Sequence, residues 1–110
     1  MSTEPLSREP DSSAPPHEVG TWALAYLGPG FRVQLRVARR RRDALLDGFM
    51  SPARPVTVLL ISAANQQVLA ETSVSATGRF EFPGISAGAG RLMFLDPDSD
   101  RPLLTPPFWI

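Results

Sequence analysis

The chain has 110 residues, 43% of them hydrophobic, and its eleven basic and eleven acidic residues give a formal net charge of zero. This length fits one domain, and the apolar fraction is too high for a wholly disordered chain. A net charge of zero excludes a global electrostatic attraction to nucleic acid or to an anionic membrane. Because the chain has no cysteine, a disulfide framework, a thiol nucleophile and a cysteine zinc site are excluded as well.

The sequence lacks the long apolar segments of membrane and secreted proteins. It has no run of roughly 18 apolar residues, and its first residues lack a basic start followed by an apolar stretch. All of its basic residues are arginine, which, together with the abundant alanine and proline, is typical of a high-GC bacterial genome. We therefore expect a bacterial protein of the cytoplasm that makes no membrane contact.

The first twenty residues, Met1–Gly20, are rich in proline, serine and acidic side chains. Such a composition cannot bury enough apolar area to offset the entropy lost on ordering. A disordered N-terminal tail is therefore predicted over residues 1–20. The only histidine of the chain, His17, lies in it and is expected to be a solvated side chain with no ligand.

Residues 21–30 form a short apolar segment that ends at Gly28-Pro29-Gly30. We interpret it as an apolar linker before the main domain, because it is too short for a stable isolated helix. Two roles remain open for its aromatic residues. Trp22 and Tyr26 either pack, with Leu24, against the domain, or they are anchors that bind a partner.

The main domain, residues 31–110, begins with a strand. Apolar and polar residues alternate from Phe31 to Ala38, which predicts a strand with one face in water. A second strand is predicted over Ala44–Met50, although Asp47 and Gly48 weaken the pattern. A helix over residues 39–46 is the competing interpretation, since arginine, alanine and leucine favour helices.

Three more strands follow in the second half. The nearly continuous apolar run Val56–Ser62 predicts a strand that is buried on both faces or central in its sheet. Val68–Val74 is predicted to return as the next strand. Leu103–Ile110 closes the chain, and its Pro106 and Pro107 cannot donate ladder hydrogen bonds, so this last strand is expected at a sheet edge.

Between these strands lies the segment Val74–Leu95, which has the clearest alternation in the chain. Phe80 and Phe82 fall on one face of a predicted strand and Arg79 and Glu81 on the other, and a glycine-containing turn leads to a second strand. This pattern predicts a hairpin-like unit. With it, the total is about seven short strands, which predicts an all-β fold, a single antiparallel β-sandwich.

From Leu45 to Ile110 the chain resembles the carboxypeptidase regulatory-like domains, the transthyretin-type β-sandwiches. The matching residues are Gly48, Pro52 or Pro55, Val56-Thr57-Val58-Leu59-Leu60, Glu71-Thr72, Gly78-Arg79-Phe80-Glu81-Phe82, Ile85 and Gly88. Ser75 and Ala76 stand where that family usually has an acidic pair, and no tyrosine begins the strand after Gly88. The resemblance implies a structural or protein-binding module.

The sequence offers little for catalysis or metal binding. A Ser-His-Asp triad needs a histidine on the scaffold, and so do the hydroxyisourate hydrolases, which resemble this fold; His17 lies in the predicted tail. The acidic turn of Asp96, Asp98 and Asp100 lacks the glycine and bidentate glutamate of a calcium loop, so a solvated turn is predicted. We expect no enzyme, no catalytic residue, no cofactor and no metal.

Arginines form the most prominent charged feature. The candidate partner-binding residues are Arg32, Arg36, Arg39, Arg40, Arg41 and Arg42, with Trp22 and Tyr26. Arg54 follows the cluster in sequence. These arginines either bind an acidic partner or phosphate backbone, or they are a solvated edge that prevents aggregation.

Two hypotheses for function follow from these features. The first is a non-catalytic protein-interaction module, an accessory of a larger bacterial system whose partner is another protein of unknown identity. The second is a transcription-linked regulator that binds nucleic acid or an acidic partner through Arg39–Arg42.

Overall fold

The computed structural model of the chain describes residues 4–5, 7–8 and 20–110, which contain eleven strands and no helix. The strands are β1 (Glu4–Pro5), β2 (Ser7–Arg8), β3 (Gly20–Gly28), β4 (Phe31–Arg39), β5 (Ala44–Ser51), β6 (Thr57–Ser62), β7 (Val68–Ser73), β8 (Arg79–Ile85), β9 (Ala89–Leu95), β10 (Leu103–Leu104) and β11 (Phe108–Trp109). Seven of them have six residues or more, so the predicted sandwich of about seven strands is confirmed. The competing helix over residues 39–46 is wrong.

The strands form two sheets. The front sheet has the order β2-β3-β4-β5-β8, and the back sheet has the order β1-β10-β9-β6-β7, with β11 also paired to β9. Neighbouring strands among the described residues run antiparallel except for the short parallel pair β1 and β10. β6 is central in the back sheet, as its apolar run predicted.

The core lies between the two sheets and is built from the alternate residues of each strand. In β4 the buried residues are Phe31, Val33, Leu35 and Val37. Phe80 packs edge-on against Phe94 across the core, with ring centroids 6.0 Å apart. Burial of these apolar side chains is the main source of stability in a domain that has no disulfide.

Residues 21–30 are not a linker. β3 pairs with β4 along its whole length, from Gly20 opposite Arg39 to Gly28 opposite Phe31. Trp22, Leu24 and Tyr26 point into the core and are buried. The alternation was hard to see because the outward positions hold alanines, which count as apolar although they face solvent.

The hairpin-like unit predicted over Val74–Leu95 is also corrected. β8 pairs with β5 in the front sheet, whereas β9 pairs with β6 in the back sheet. The chain therefore crosses from one sheet to the other between Ile85 and Ala89. Local alternation identifies each strand but does not determine which strand it pairs with.

Most of the predicted N-terminal tail, including His17, lies outside the described residues. Within it, Glu4–Pro5 pairs with β10 and Ser7–Arg8 pairs with β3, so at these positions strand pairing replaces the predicted tail. Gly20, the last residue assigned to the tail, begins β3.

The predicted last strand, Leu103–Ile110, is divided into two short strands. β10 and β11 both pair with the side of β9 that faces away from β6. Pro106 and Pro107 separate them because neither residue can donate a ladder hydrogen bond. Thr105 fills the gap, and its hydroxyl accepts a hydrogen bond from the N–H of Leu92 at 2.9 Å.

Candidate functional site

The structure divides the predicted arginine cluster into three environments. The first is the outer face of the front sheet, where Arg32 and Arg36 alternate with buried residues of β4 and are exposed. Arg36 lies opposite Asp47 of β5 and donates to its Oδ2 from Nη2 at 2.7 Å and from Nε at 3.1 Å. The charge of Arg36 is therefore neutralised by a neighbour in its own sheet.

Both signs of charge are present on this face. Glu81 of β8 lies opposite Asp47, and Arg79 lies with its guanidinium carbon 5.9 Å from the ring centroid of Phe49. Arginines and carboxylates are thus interspersed over two adjacent rows of the front sheet: Arg36, Asp47 and Glu81 lie in one row and Arg79 in the next. Such a lattice offers a partner no single sign of charge.

The second environment lies where the loop after β5, which holds Arg54, meets the end of β9. Arg54 donates from Nη1 to Oδ2 of Asp96 at 3.0 Å, and its guanidinium lies over the Phe31 ring, 5.4 Å from the centroid. Asp96 is nearly buried, with 9% of its side chain exposed, so the predicted solvated turn is wrong for this residue. Asp98 and Asp100 are exposed, as predicted.

The third environment is the turn between β4 and β5. Residues 40–43 form this turn, which is closed by a hydrogen bond from Arg40 N–H to the Asp43 carbonyl at 2.8 Å. We call Arg40, Arg41 and Arg42 the arginine tip. All three are exposed, and no described residue makes a side-chain hydrogen bond or an ion pair with them. Three adjacent positive charges thus project from the end of the hairpin, beside Asp43 of the same turn and without an ion pair to any residue that the structure describes.

Arg39 forms the base of this tip. It is only partly exposed, and its Nη1 donates to the carbonyl of Ile110 at 3.4 Å. Ile110 in turn exchanges hydrogen bonds with Gly88, its N–H donating at 2.8 Å. Since Gly88 lies in the crossing between the sheets, the end of the hairpin is held by both of them.

The shape of the tip favours a surface contact over a small-molecule site. A cavity of about 30 Å³ lies between the turn and Ala87, an order of magnitude below the size of a ligand pocket, which is about 300–1,000 Å³. A wider depression of about 590 Å³ adjoins Arg40, but it is open to solvent and is lined by Asp43 and Glu81 as well. Guanidinium groups bind carboxylates and phosphates in a bidentate manner, so the tip is suited to an anionic surface.

Trp22 and Tyr26, predicted as alternative partner anchors, are not available for contact. Trp22 is 8% exposed and Tyr26 is fully buried. Both rings lie in the core between the two sheets, and exposing them would require β3 to leave its sheet. The interpretation that they pack against the domain is the correct one.

Sequence reasoning missed the outer face of the back sheet. Trp109 is 56% exposed there, and Leu59 and Met93 are half-buried beside each other on β6 and β9. The apolar run Val56–Ser62 was a signal for this face. It was interpreted as burial on both faces or a central position in the sheet; β6 is central, and its outer face shows that an apolar face without a covering strand produces the same pattern.

Comparison of the chain with protein-family models, with curated proteins and with solved structures finds no match. Within residues 20–110 and the two short N-terminal strands, no helix is long and apolar enough to cross a membrane. The same part of the chain contains no group of three side chains that could hold a metal ion.

Proposed function

We propose that this protein is a non-catalytic β-sandwich module of the bacterial cytoplasm that binds an acidic protein partner through the arginine tip. The single observation that supports this is the contrast among the arginines. Arg36 and Arg54 are paired with carboxylates, whereas Arg40, Arg41 and Arg42 are exposed and unpaired within the described chain. An exposed cluster of one sign steers association with the opposite sign.

An acidic protein fits this surface better than nucleic acid does. A duplex is bound by a stripe of basic residues that follows the phosphate backbone. The tip is a single point, and because the adjoining sheet face carries Asp47 and Glu81, the positive surface does not extend into a track. A compact acidic patch on a protein can be bound by the tip alone, without an extended row of basic residues. Nucleic-acid binding, with a role in transcription, is the second candidate.

The resemblance to carboxypeptidase regulatory-like domains forms a second part of the proposal. Its motif residues have positions that support it: Gly78 has a φ of 89°, and Phe80 and Phe82 both point into the core. Gly78 is also close-packed, since an added Cβ would approach the Met50 carbonyl oxygen. A sandwich of this type specifies the scaffold, and the site on it determines the function.

The experiment compares binding of poly-L-glutamate and of duplex DNA to the full chain at low and at physiological salt. Three variants are needed: the tip arginines all changed to alanine, the same three changed to lysine, and a control with Arg36, Arg79 and Arg101 changed to alanine. The control removes the same charge from other exposed positions. Circular dichroism verifies that each variant is folded.

The proposal predicts that wild type binds polyglutamate and that the alanine tip variant weakens binding by about tenfold or more, which is about 1.4 kcal/mol. The lysine variant retains part of the affinity, because it keeps the charge but loses the bidentate fork. An equal loss of polyglutamate affinity in the control variant would show that net charge, and not the arginine tip, determines binding. Preferential binding to DNA, with a steep salt dependence that the alanine variant flattens, would instead establish the second candidate.

A further inference from the structure

The two outer faces of the sandwich differ in character. The front sheet carries the lattice of charges around Arg36 and Asp47, whereas the back sheet carries mostly apolar side chains. Its outward residues on β6, β7 and β9 and on the two C-terminal strands are Thr57, Leu59, Ile61, Val68, Glu71, Ser73, Ala89, Arg91, Met93, Leu95, Leu104 and Trp109, of which Ile61 is buried and the others are half-buried or exposed. No described strand covers this face. An apolar face of this kind is a candidate interaction surface.

Within that set, Glu71 and Arg91 are the two charged side chains. Leu59 lies between Glu71 on β7 and Met93 on β9, and Ile61 lies opposite Arg91. The anion and the cation are therefore on opposite sides of β6, offset by two residues along the strand, about 7 Å. A two-fold axis that runs along β6 brings the β7 side of one face over the β9 side of the other, so the anion and the cation come to the same side, still two residues apart along the strand.

We propose that two copies of this chain pack back sheet against back sheet around such an axis. The rotation places β7 of one copy over β9 of the other, so Leu59 meets its own equivalent at the centre. Glu71 then faces Met93 of the second copy, and the long side chain of Arg91, two residues further along that strand, reaches it; the same pair forms twice, as an isologous interface requires. Face-to-face packing of two sheets about 10 Å apart is a common arrangement in β-proteins.

A partner with a different surface would have to supply a carboxylate and a guanidinium at this same spacing, whereas a second copy supplies both. The Arg91 guanidinium is also held in position, because its Nε donates to the Thr105 carbonyl at 2.9 Å. Its remaining N–H groups are oriented by that bond. The face therefore fits a copy of itself by charge as well as by apolar character.

The face is smaller than a standard protein interface. Four strands about 4.8 Å apart and about 20 Å long give a face of roughly 400 Å² in projection. Stable specific interfaces bury about 800 Å² per partner, so this dimer lies at the weak, exchanging end of the range. We expect the dimer to have a dissociation constant in the micromolar range or above. This surface is separate from the arginine tip, and each proposal can fail without the other.

Sedimentation of the full chain over a concentration series tests the proposal. Wild type is expected to change from monomer to dimer with rising concentration. Leu59→Glu places a charge at the centre of the face and should raise the dissociation constant by about tenfold or more. Leu45→Glu is the matched control: Leu45 is also half-buried on a central strand, but on the outer face of the front sheet, and its substitution should leave the dimer intact.

A charge exchange tests the geometry without relying on Leu59. Glu71→Arg and Arg91→Glu should each weaken the dimer severalfold, because each brings like charges together. The double variant restores both pairs with reversed signs and should recover most of the affinity. A monomer at every concentration, a dimer unaffected by Leu59→Glu, or a double variant weaker than either single one would overturn the proposal.

Discussion

Arg54 and Asp96 form the best-shielded ion pair among the described residues, with Nη1 and Oδ2 3.0 Å apart. The same guanidinium lies over Phe31, so one side chain connects the loop after β5, the start of β4 and the end of β9. These elements belong to both sheets. Arg54, which follows the arginine cluster in the sequence, therefore helps to hold the two sheets together.

The first prediction compares this pair with a more exposed one. Arg54→Ala should lower the free energy of unfolding by about 1–2 kcal/mol, because a shielded charged hydrogen bond and a cation–π contact are lost together. Arg36→Ala breaks a pair whose arginine is 61% exposed and should cost less than about 1 kcal/mol. Urea denaturation of both variants measures the difference. Equal costs would show that Arg54 has no special role in joining the sheets.

The second prediction concerns Gly48 and Phe80, which lie opposite each other on β5 and β8. A Cβ added at Gly48 would overlap the Phe80 ring, so Gly48→Ala should cost about 1–3 kcal/mol through overpacking. Phe80→Ala should cost about 3–5 kcal/mol, which approaches the whole stability of so small a domain. In the double variant the new methyl group enters space that the ring has vacated.

The double variant should therefore be more stable than the sum of the two single costs predicts, by about 1 kcal/mol or more. Chemical denaturation of the four proteins of this cycle gives the coupling energy. Strictly additive costs would show that the ring does not occupy the space above Gly48. If Phe80→Ala does not fold, Phe80→Leu can replace it in the same cycle.

The third prediction uses Thr105, the fully buried polar residue that fills the break between β10 and β11. Thr105→Val keeps the shape but leaves the buried N–H of Leu92 without an acceptor, which should cost about 1–3 kcal/mol. Thr105→Ser keeps the hydroxyl and loses only a methyl group. Hydrogen exchange of the Leu92 amide should be faster in the valine variant than in the serine variant. Identical exchange in both would show that the hydroxyl does not bind this amide.

Sequence reasoning found the strands more reliably than their partners. The alternation from Phe31 to Val37 identified β4 because its inward and outward residues differ sharply in polarity. β8 and β9 were assigned to one hairpin because alternation carries no information about long-range pairing. Gly48 was interpreted as a weak point in β5, whereas the ring of Phe80 requires a glycine there.

For the candidate site, the sequence located the arginines but could not sort them. Which of them are neutralised depends on cross-strand register, since Arg36 meets Asp47 only when β4 and β5 are aligned. Arg54 meets Asp96 through the packing of the two sheets, 42 residues away in the chain. Arg40, Arg41 and Arg42 were recognisable as a run of like charge, and their isolation became visible only in three dimensions.

The most direct test of the central claim is an NMR titration of the full, isotope-labelled chain with poly-L-glutamate. Arginine Nε–Hε signals and backbone amides report which groups meet the carboxylates. The account predicts that the largest shifts occur at Arg40, Arg41 and Arg42, that Arg36 and Arg54 change little because their carboxylate partners remain bound, and that added salt reverses the shifts. Shifts centred on the front-sheet face or on the back sheet, with the tip unaffected, would contradict it.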